Sequence, residues 1–264
     1  GVAGEPLICV GDPASAERCG LRERLDVACF AETGGCDSGC VGDHFQPWRH
    51  AGGRAPFSFA WLGALGARTV RIRRGTGVMT PGFRSHPSIV AQAFGTLGAM
   101  FPDRVILGVG TGESLNEVPA PGAPLPAFQE RFARLPEALT LIRTLWTEDR
   151  VSFEGEYYRT EKATIYDRPA TPVPIYIAAG GGVVAKYAGR VGDGFICTSG
   201  KPPELYSETL LPGVEAGLAA AGRPAAAIAR MIEMKASFDD EPARALDDHR
   251  ARACLPHTSH APAR

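Results

Sequence analysis

The chain has 264 residues, 44% of them hydrophobic and 22% charged, with a formal net charge of −1. This is ordinary globular composition, long enough for one large α/β domain or two small ones. The near-zero charge gives no electrostatic case for nucleic acid or a membrane surface, and no apolar run reaches the roughly 18 residues of a membrane helix.

Along the chain, strand-like runs alternate with helix-like segments. Leu7–Val10 reads as a strand, Glu17–Thr33 as a helix and Cys36–Val41 as a strand. Pro56–Leu65 is helical, Thr69–Val78 a strand, Pro87–Met100 a helix and Arg104–Val109 a strand. Val118–Pro126 is rich in Pro, Ala and Gly and holds neither a long helix nor a ladder strand. Phe128–Trp146 follows with Phe128, Phe132, Leu135, Leu139, Ile142 and Leu145 three or four residues apart, the spacing of one helix face. Arg150–Tyr166 reads as a hairpin turning at Glu154-Gly155. The alternation then resumes with strand Val173–Ala179, helix Val183–Val191, strand Gly194–Thr198, helix Glu204–Ala221 and strand Met231–Phe238. Gly34 and Gly222 stand where helices stop.

Strands alternating with helices imply parallel pairing with right-handed crossovers. Seven βα-ordered strands fit an α/β fold, either a (β/α)8 TIM barrel lacking its last strand-helix unit or an open doubly wound sheet. In both, function gathers at the carboxyl ends of the strands. The start, Gly1-Val2-Ala3-Gly4-Glu5, lacks the basic region and apolar core of a signal peptide. The seven Cys form no Cys-x-x-Cys pair, and no His stands at zinc-finger spacing, so no metal is expected. Free, largely buried thiols point to a reducing cytoplasm.

The strand ends are chemically rich. Asp43-His44-Phe45-Gln46-Pro47-Trp48 places a carboxylate, an imidazole and an indole at the end of one strand. Histidine can take a proton from a bound substrate near neutral pH; the plainer alternative is a loop His with Trp48 as a core plug. Gly108-Val109-Gly110-Thr111-Gly112 is not the dinucleotide fingerprint, because its glycines recur every second residue, but it brings flexible backbone beside Glu113. Gly180-Gly181-Gly182 opens a helix directly after a strand, where free N–H groups suit an anion or a plain turn. Thr198-Ser199-Gly200-Lys201 offers hydroxyls and a cation, suited to a phosphate. Taken alone, Glu17 and Glu113 read as solvated carboxylates.

Together, Asp43–His50, Gly108–Glu113 with Asn116, Ile177–Gly181 and Asp193–Lys201 resemble the coenzyme F420-dependent glucose-6-phosphate dehydrogenases of the bacterial-luciferase-like superfamily. The resemblance runs from about Ala14 to about Leu246. It implies a TIM barrel, a homodimer, and hydride transfer from the anomeric carbon of glucose 6-phosphate to F420, giving 6-phosphogluconolactone. It further implies that His44 is the base, that Trp48 walls the site, that Glu113 assists proton transfer and that Glu17 is a further active-site carboxylate. Asp43, Thr80, Gly110, Asn116, Ala178, Ala179, Gly180 and Gly181 would contact the cofactor. Gly77 and Val78 would be joined by a non-proline cis peptide behind its ring. Thr198, Ser199 and Lys201 would hold the sugar phosphate. Residues 1–248 are expected to form one luciferase-like barrel, and 249–264 a divergent, disordered tail. The family's later strand, second Lys and Arg find no match there, which fits a truncated or frameshifted chain. Two other readings are an FMN-dependent monooxygenase of the same superfamily and a cofactor-binding protein without turnover.

Overall fold

The computed structural model describes residues 9–10, 20–48, 50, 53–233, 241 and 243. Seven strands form one wholly parallel sheet, ordered β1 (Cys9–Val10), β2 (Ser38–Val41), β3 (Arg73–Thr76), β4 (Val105–Val109), β7 (Ile175–Ala178), β8 (Gly194–Thr198) and β9 (Ala229–Glu233). Every neighbouring pair in that sheet is parallel. The order follows the chain, as in the wall of a (β/α)8 barrel, and seven of its strands lie within the described residues. The outer portion of the expected strand Met231–Phe238 and the expected tail 249–264 lie outside them.

The helices are α1 (Leu21–Thr33), α2 (Ser58–Arg68), α3 (Pro87–Met100), the single turn α4 (Ser114–Glu117), α5 (Phe128–Thr147), α6 (Gly182–Val191) and α7 (Leu211–Ala220). The expected excursion is a separate antiparallel hairpin, β5 (Val151–Glu154) with β6 (Arg159–Ala163). Its turn is held by Glu137 of α5, which accepts the backbone N–H groups of Glu156, Tyr157 and Tyr158 at 2.7–3.1 Å.

Period-two alternation sorts the strand residues between two layers. Leu107, Val109, Ile175, Ile177, Phe195 and Cys197 join the helix-side core with Phe94, Leu139 and Ile142. Their alternates Ile106, Tyr176 and Ile196 pack together on the other face with Val78, Ala178 and Met231. Both faces are covered, which is why β4 and β7 are nearly continuous apolar runs. Fully burying a side chain such as Phe94 or Ile142 contributes about 1.5–3 kcal/mol. Trp146 also satisfies its indole N–H on the Ala91 carbonyl at 2.8 Å, joining α5 to α3.

Two expected elements differ markedly in extent. The strand expected over Thr69–Val78 shortens to Arg73–Thr76, because the N–H groups of Val70, Arg71 and Ile72 bond the Glu32 carboxylate rather than a neighbouring strand. The helix expected over Glu204–Ala221 opens with a π-helical turn, Leu205–Leu210. Pro212 follows at the start of α7 and has no N–H to give the preceding turn, so the i→i−4 ladder cannot run through it. Glu117 lies in α4, a turn the sequence pattern does not announce.

Candidate active site

The ends of β2, β3 and β4 converge on one group of polar side chains. His44 follows β2, and its Nε2 lies 4.0 Å from Oε1 of Glu113, which precedes α4. The Trp48 indole meets the His44 ring edge-to-face, with centroids 5.7 Å apart and planes at 78°. Trp48 is 41% exposed, so it is not a core plug. It stands as a wall beside the imidazole.

Asn116, a buried residue of α4, links the loop that carries His44 to Glu113. Its Oδ1 accepts the Phe45 N–H at 2.8 Å, and its Nδ2 donates to Glu113 Oε1 at 2.9 Å. One amide therefore holds the loop after β2 and orients the carboxylate facing His44. Beneath it lies a second network. Asp43 is buried, and its carboxylate accepts from Ser58 Oγ at 2.6 Å and from the Arg84 guanidinium at 2.5 Å. Arg84 also donates to the Asp43 carbonyl and pairs through Nε with Glu117 at 3.3 Å. Asp43, expected beside the cofactor, thus directs both carboxylate oxygens at protein groups. Burial pushes the Glu117 carboxyl above the usual range; repulsion from Asp43 adds to this, while Arg84 and a hydrogen bond from Thr80 oppose it.

The peptide between Gly77 and Val78 is cis, at the position where the resemblance places one. After it, Met79 N–H bonds the Gly108 carbonyl at 3.0 Å, and Gly110 N–H bonds the Met79 carbonyl at 2.8 Å, so the β3 and β4 extensions run together. Thr80 is buried beside Glu117.

The ends of β7 and β8 form the other side. Ala178 shares the inner face with Ile196, and Ala179 N–H bonds the Ile196 carbonyl at 2.9 Å. Gly180 and Gly181 lead into α6, and a Cβ at either would meet no atom within 4 Å. The strand-to-helix turn is a cradle in which a ligand can lie directly on backbone, next to the N–H groups of the first turn of α6. Thr198, the last residue of β8, and Lys201, in the loop after it, are exposed. The hydroxyl of Tyr206 pins that loop, donating to the Thr198 carbonyl at 2.7 Å and accepting from Lys201 N–H at 3.1 Å. Ser199 N–H bonds the Glu233 carbonyl at 2.8 Å. The two amides are therefore engaged, and a phosphate grip there falls to side chains. Glu17 lies outside the described residues.

Ser58, Arg84, Glu117 and Tyr206 were not visible as site residues in the sequence. Their partners stand far away along the chain, as with Arg84 and Asp43, 41 residues apart. No local spacing signals such a contact.

The arrangement offers an imidazole facing a carboxylate, an aromatic wall, a backbone cradle and an exposed cation with hydroxyls. The chain matches the family model described as luciferase-like monooxygenase over residues 7–263. It is 60% identical over 251 residues to the F420-dependent glucose-6-phosphate dehydrogenase of Intrasporangium calvum, covering 94% of this chain and 75% of that protein. Against the enzyme of the same name from Mycolicibacterium smegmatis it is 58% identical over 247 residues, covering 93% and 74%. It is also similar to the solved structure of an F420-dependent secondary alcohol dehydrogenase in complex with an F420-acetone adduct. That similarity has a TM-score of 0.85 at 34% identity and covers 91% of this chain and 73% of that one. With these relatives and this strand-end geometry, the chain belongs to the F420-dependent glucose-6-phosphate dehydrogenase family, within the luciferase-like fold.

Proposed function

We propose that this protein oxidises glucose 6-phosphate at its anomeric carbon with F420 as acceptor, giving 6-phosphogluconolactone. The observation that carries the reading is the 4.0 Å approach of His44 to Glu113 beside the cis Gly77–Val78 peptide and opposite the Gly180–Gly181 cradle. The residues present suit a flat, anionic cofactor: open backbone at Gly180 and Gly181, the start of α6, and the strand-end surface from Val78 to Gly110. When bound there, F420 supplies a two-electron hydride acceptor.

The chain's own part is placement and proton handling. His44 Nε2 takes the proton of the anomeric hydroxyl as the C–H bond breaks. As a carboxylate oriented by Asn116, Glu113 stabilises the imidazolium so formed and then relays its proton to the acceptor side, which gains one hydride and one proton in all. Trp48 fixes the His44 ring and shields one side of the reacting region. Thr198, Ser199 and Lys201 take the sugar phosphate, with Tyr206 keeping their loop in shape. Glu17 enters this reading by the family resemblance alone. A homodimer in the cytoplasm is part of this reading. The family resemblance supports the homodimer, and the free thiols among the described residues, Cys29, Cys36, Cys40 and Cys197, support the compartment. No helix among the described residues is long and apolar enough to cross a membrane.

Loss of F420 fluorescence on adding glucose 6-phosphate tests the function directly, with FMN as the comparison cofactor. His44→Ala is expected to retain F420 binding and to lower turnover by about 100- to 10,000-fold, the range for removal of a general base. A wild-type chain inert toward this pair of substrates, or a fully active His44→Ala, would overturn the proposal.

A further inference from the structure

Arg84 belongs to none of the motifs that mark the site, yet it is the most connected cation near it. Its side chain is only 11% exposed. It bonds the Asp43 carboxylate at 2.5 Å, the Asp43 carbonyl, and the Glu117 carboxylate at 3.3 Å. Asp43 immediately precedes His44. Glu117 immediately follows Asn116, which orients Glu113. Asp43 therefore stands one residue from His44, and Glu117 stands one helical turn from Glu113, whose carbonyl accepts the Glu117 N–H at 3.0 Å; one guanidinium bridges the two carboxylates. A planar fork with fixed donors can satisfy two carboxylates at once, whereas an ammonium cannot reproduce that geometry.

The loop carrying Arg84 is itself braced from outside the barrel. Gly82 has a φ of +128°, and its N–H bonds the Ser85 carbonyl at 2.8 Å, closing a tight turn around Arg84. A Cβ at Gly82 would fall 1.8 Å from the Tyr158 hydroxyl. His86, at the far end of the turn, meets the Tyr158 ring edge-to-face at 5.6 Å. Tyr158 is buried and belongs to the hairpin turn that Glu137 fastens to α5. The hairpin excursion, which adds no strand to the barrel, thus backs the loop from which Arg84 reaches into the site.

We infer that Arg84 is a positioning residue whose bridge between Asp43 and Glu117 sets the separation of His44 from Glu113, with the Tyr158 hairpin as its brace. This inference rests on the proposed roles of His44 and Glu113. Arg84 touches neither of them, so its effect passes through the two backbone segments it ties together.

The test has a kinetic arm and an arm independent of turnover. In Arg84→Ala, kcat for F420 reduction falls by about 100-fold, the scale of an ångström-level misplacement, while KM for glucose 6-phosphate changes by less than about threefold. Arg84→Lys, which keeps the charge but not the fork, recovers only part of the loss. The second arm follows the His44 imidazole by NMR as pH is varied, with His44→Gln assigning its signal. If Arg84 sets the geometry, its removal separates His44 from Glu113, and the midpoint falls as the imidazolium loses its carboxylate partner. If Arg84 acts only as a nearby cation, its removal makes the imidazole easier to protonate and the midpoint rises. A fall supports the inference; a rise, no change, or an unaltered kcat overturns it. Should Arg84→Ala fail to fold, Arg84→Lys carries both arms: a lowered kcat with a fall in the midpoint supports the inference, and an unchanged midpoint, which a retained nearby cation alone would give, overturns it. A wild-type chain that does not turn over sinks the proposed function but leaves the NMR arm readable.

Discussion

Asn116→Ala is the perturbation whose cost is most directly worked from the structure. The Asn116 side chain is buried at 3% exposure and makes two strong hydrogen bonds, from Phe45 N–H at 2.8 Å and to Glu113 Oε1 at 2.9 Å. A third contact, from Gln46 N–H, is 3.5 Å long and counts for little. The Glu113 side chain is 45% exposed, so water can replace the lost donor there. The Phe45 N–H is only partly accessible, and losing its acceptor costs about 0.5–1.5 kcal/mol, with a further ~1 kcal/mol for the space vacated by the amide. The total is about 2 kcal/mol. At roughly 2–4 °C per kcal/mol for a chain of this size, the melting temperature drops by about 4–8 °C. Calorimetry with circular dichroism measures it. Asn116→Asp is the matched control. It keeps the acceptor for Phe45 but faces Glu113 with a second carboxylate, so it should approach wild-type stability only as acid neutralises one of the two. An Asn116→Ala protein melting within about 1 °C of wild type would refute the reasoning, because the amide would then not be holding the loop.

Two further outcomes follow from the same geometry. Lys201→Ala should weaken glucose 6-phosphate binding by about 10- to 100-fold, the scale of one charged hydrogen bond, while leaving F420 affinity unchanged by calorimetric titration. Glu117 has a folded-state pKa raised by burial, so its contribution to stability is full below the ordinary carboxylate value and is lost as pH rises through the raised value. Denaturant melts across that window should show wild type losing stability with rising pH more steeply than Glu117→Gln; parallel curves would show that the carboxyl is not shifted.

The regular parts of the fold were legible because their determinants are local. α3 spans Pro87–Met100 as expected: Pro87 sits in the first turn, and the side chain of His86 accepts the Ser88 N–H at the cap. β8 occupies Gly194–Thr198 as expected, an apolar run between a helix end and a polar loop. The barrel is readable because alternating elements leave few arrangements other than parallel ones. In the site, His44, Trp48, Glu113 and Asn116 were legible as one motif set, and the structure brings them together. Arg84, Ser58 and Glu117 were not, because an ion pair across 41 residues or a hydroxyl 15 residues away leaves no periodicity to read. α4 was missed for a related reason. A single turn between Gly112 and Pro119 has no propensity to form alone, and it is held by the bonds Asn116 makes to other loops.

The division between legible and hidden residues follows the division of labour within the site. Groups proposed to meet a ligand must stay accessible, and Trp48, Glu113, Thr198 and Lys201 are all partly or fully exposed. Their chemistry is carried by residue type, so a sequence displays it. The groups that fix distances are buried, and Asp43, Asn116, Glu117 and Arg84 have almost no solvent to fall back on. A buried charge must be paired, and the partner is chosen by the fold rather than by the neighbouring sequence. The two sides of the site differ in the same way. The side proposed to handle protons, on β2 to β4, is tied by buried charge-assisted bonds, which suits a step sensitive to sub-ångström placement. On the β7 to β8 side there is open backbone at Gly180 and Gly181 and a loop pinned by one tyrosine hydroxyl. That suits binding and releasing anionic groups, where reach matters more than rigidity. Substitutions on the first side should therefore act on kcat, and substitutions on the second on KM. Arg84→Lys and Lys201→Ala, measured in one assay, separate the two: equal effects of both on KM alone would show that the buried network does no more than hold the barrel together.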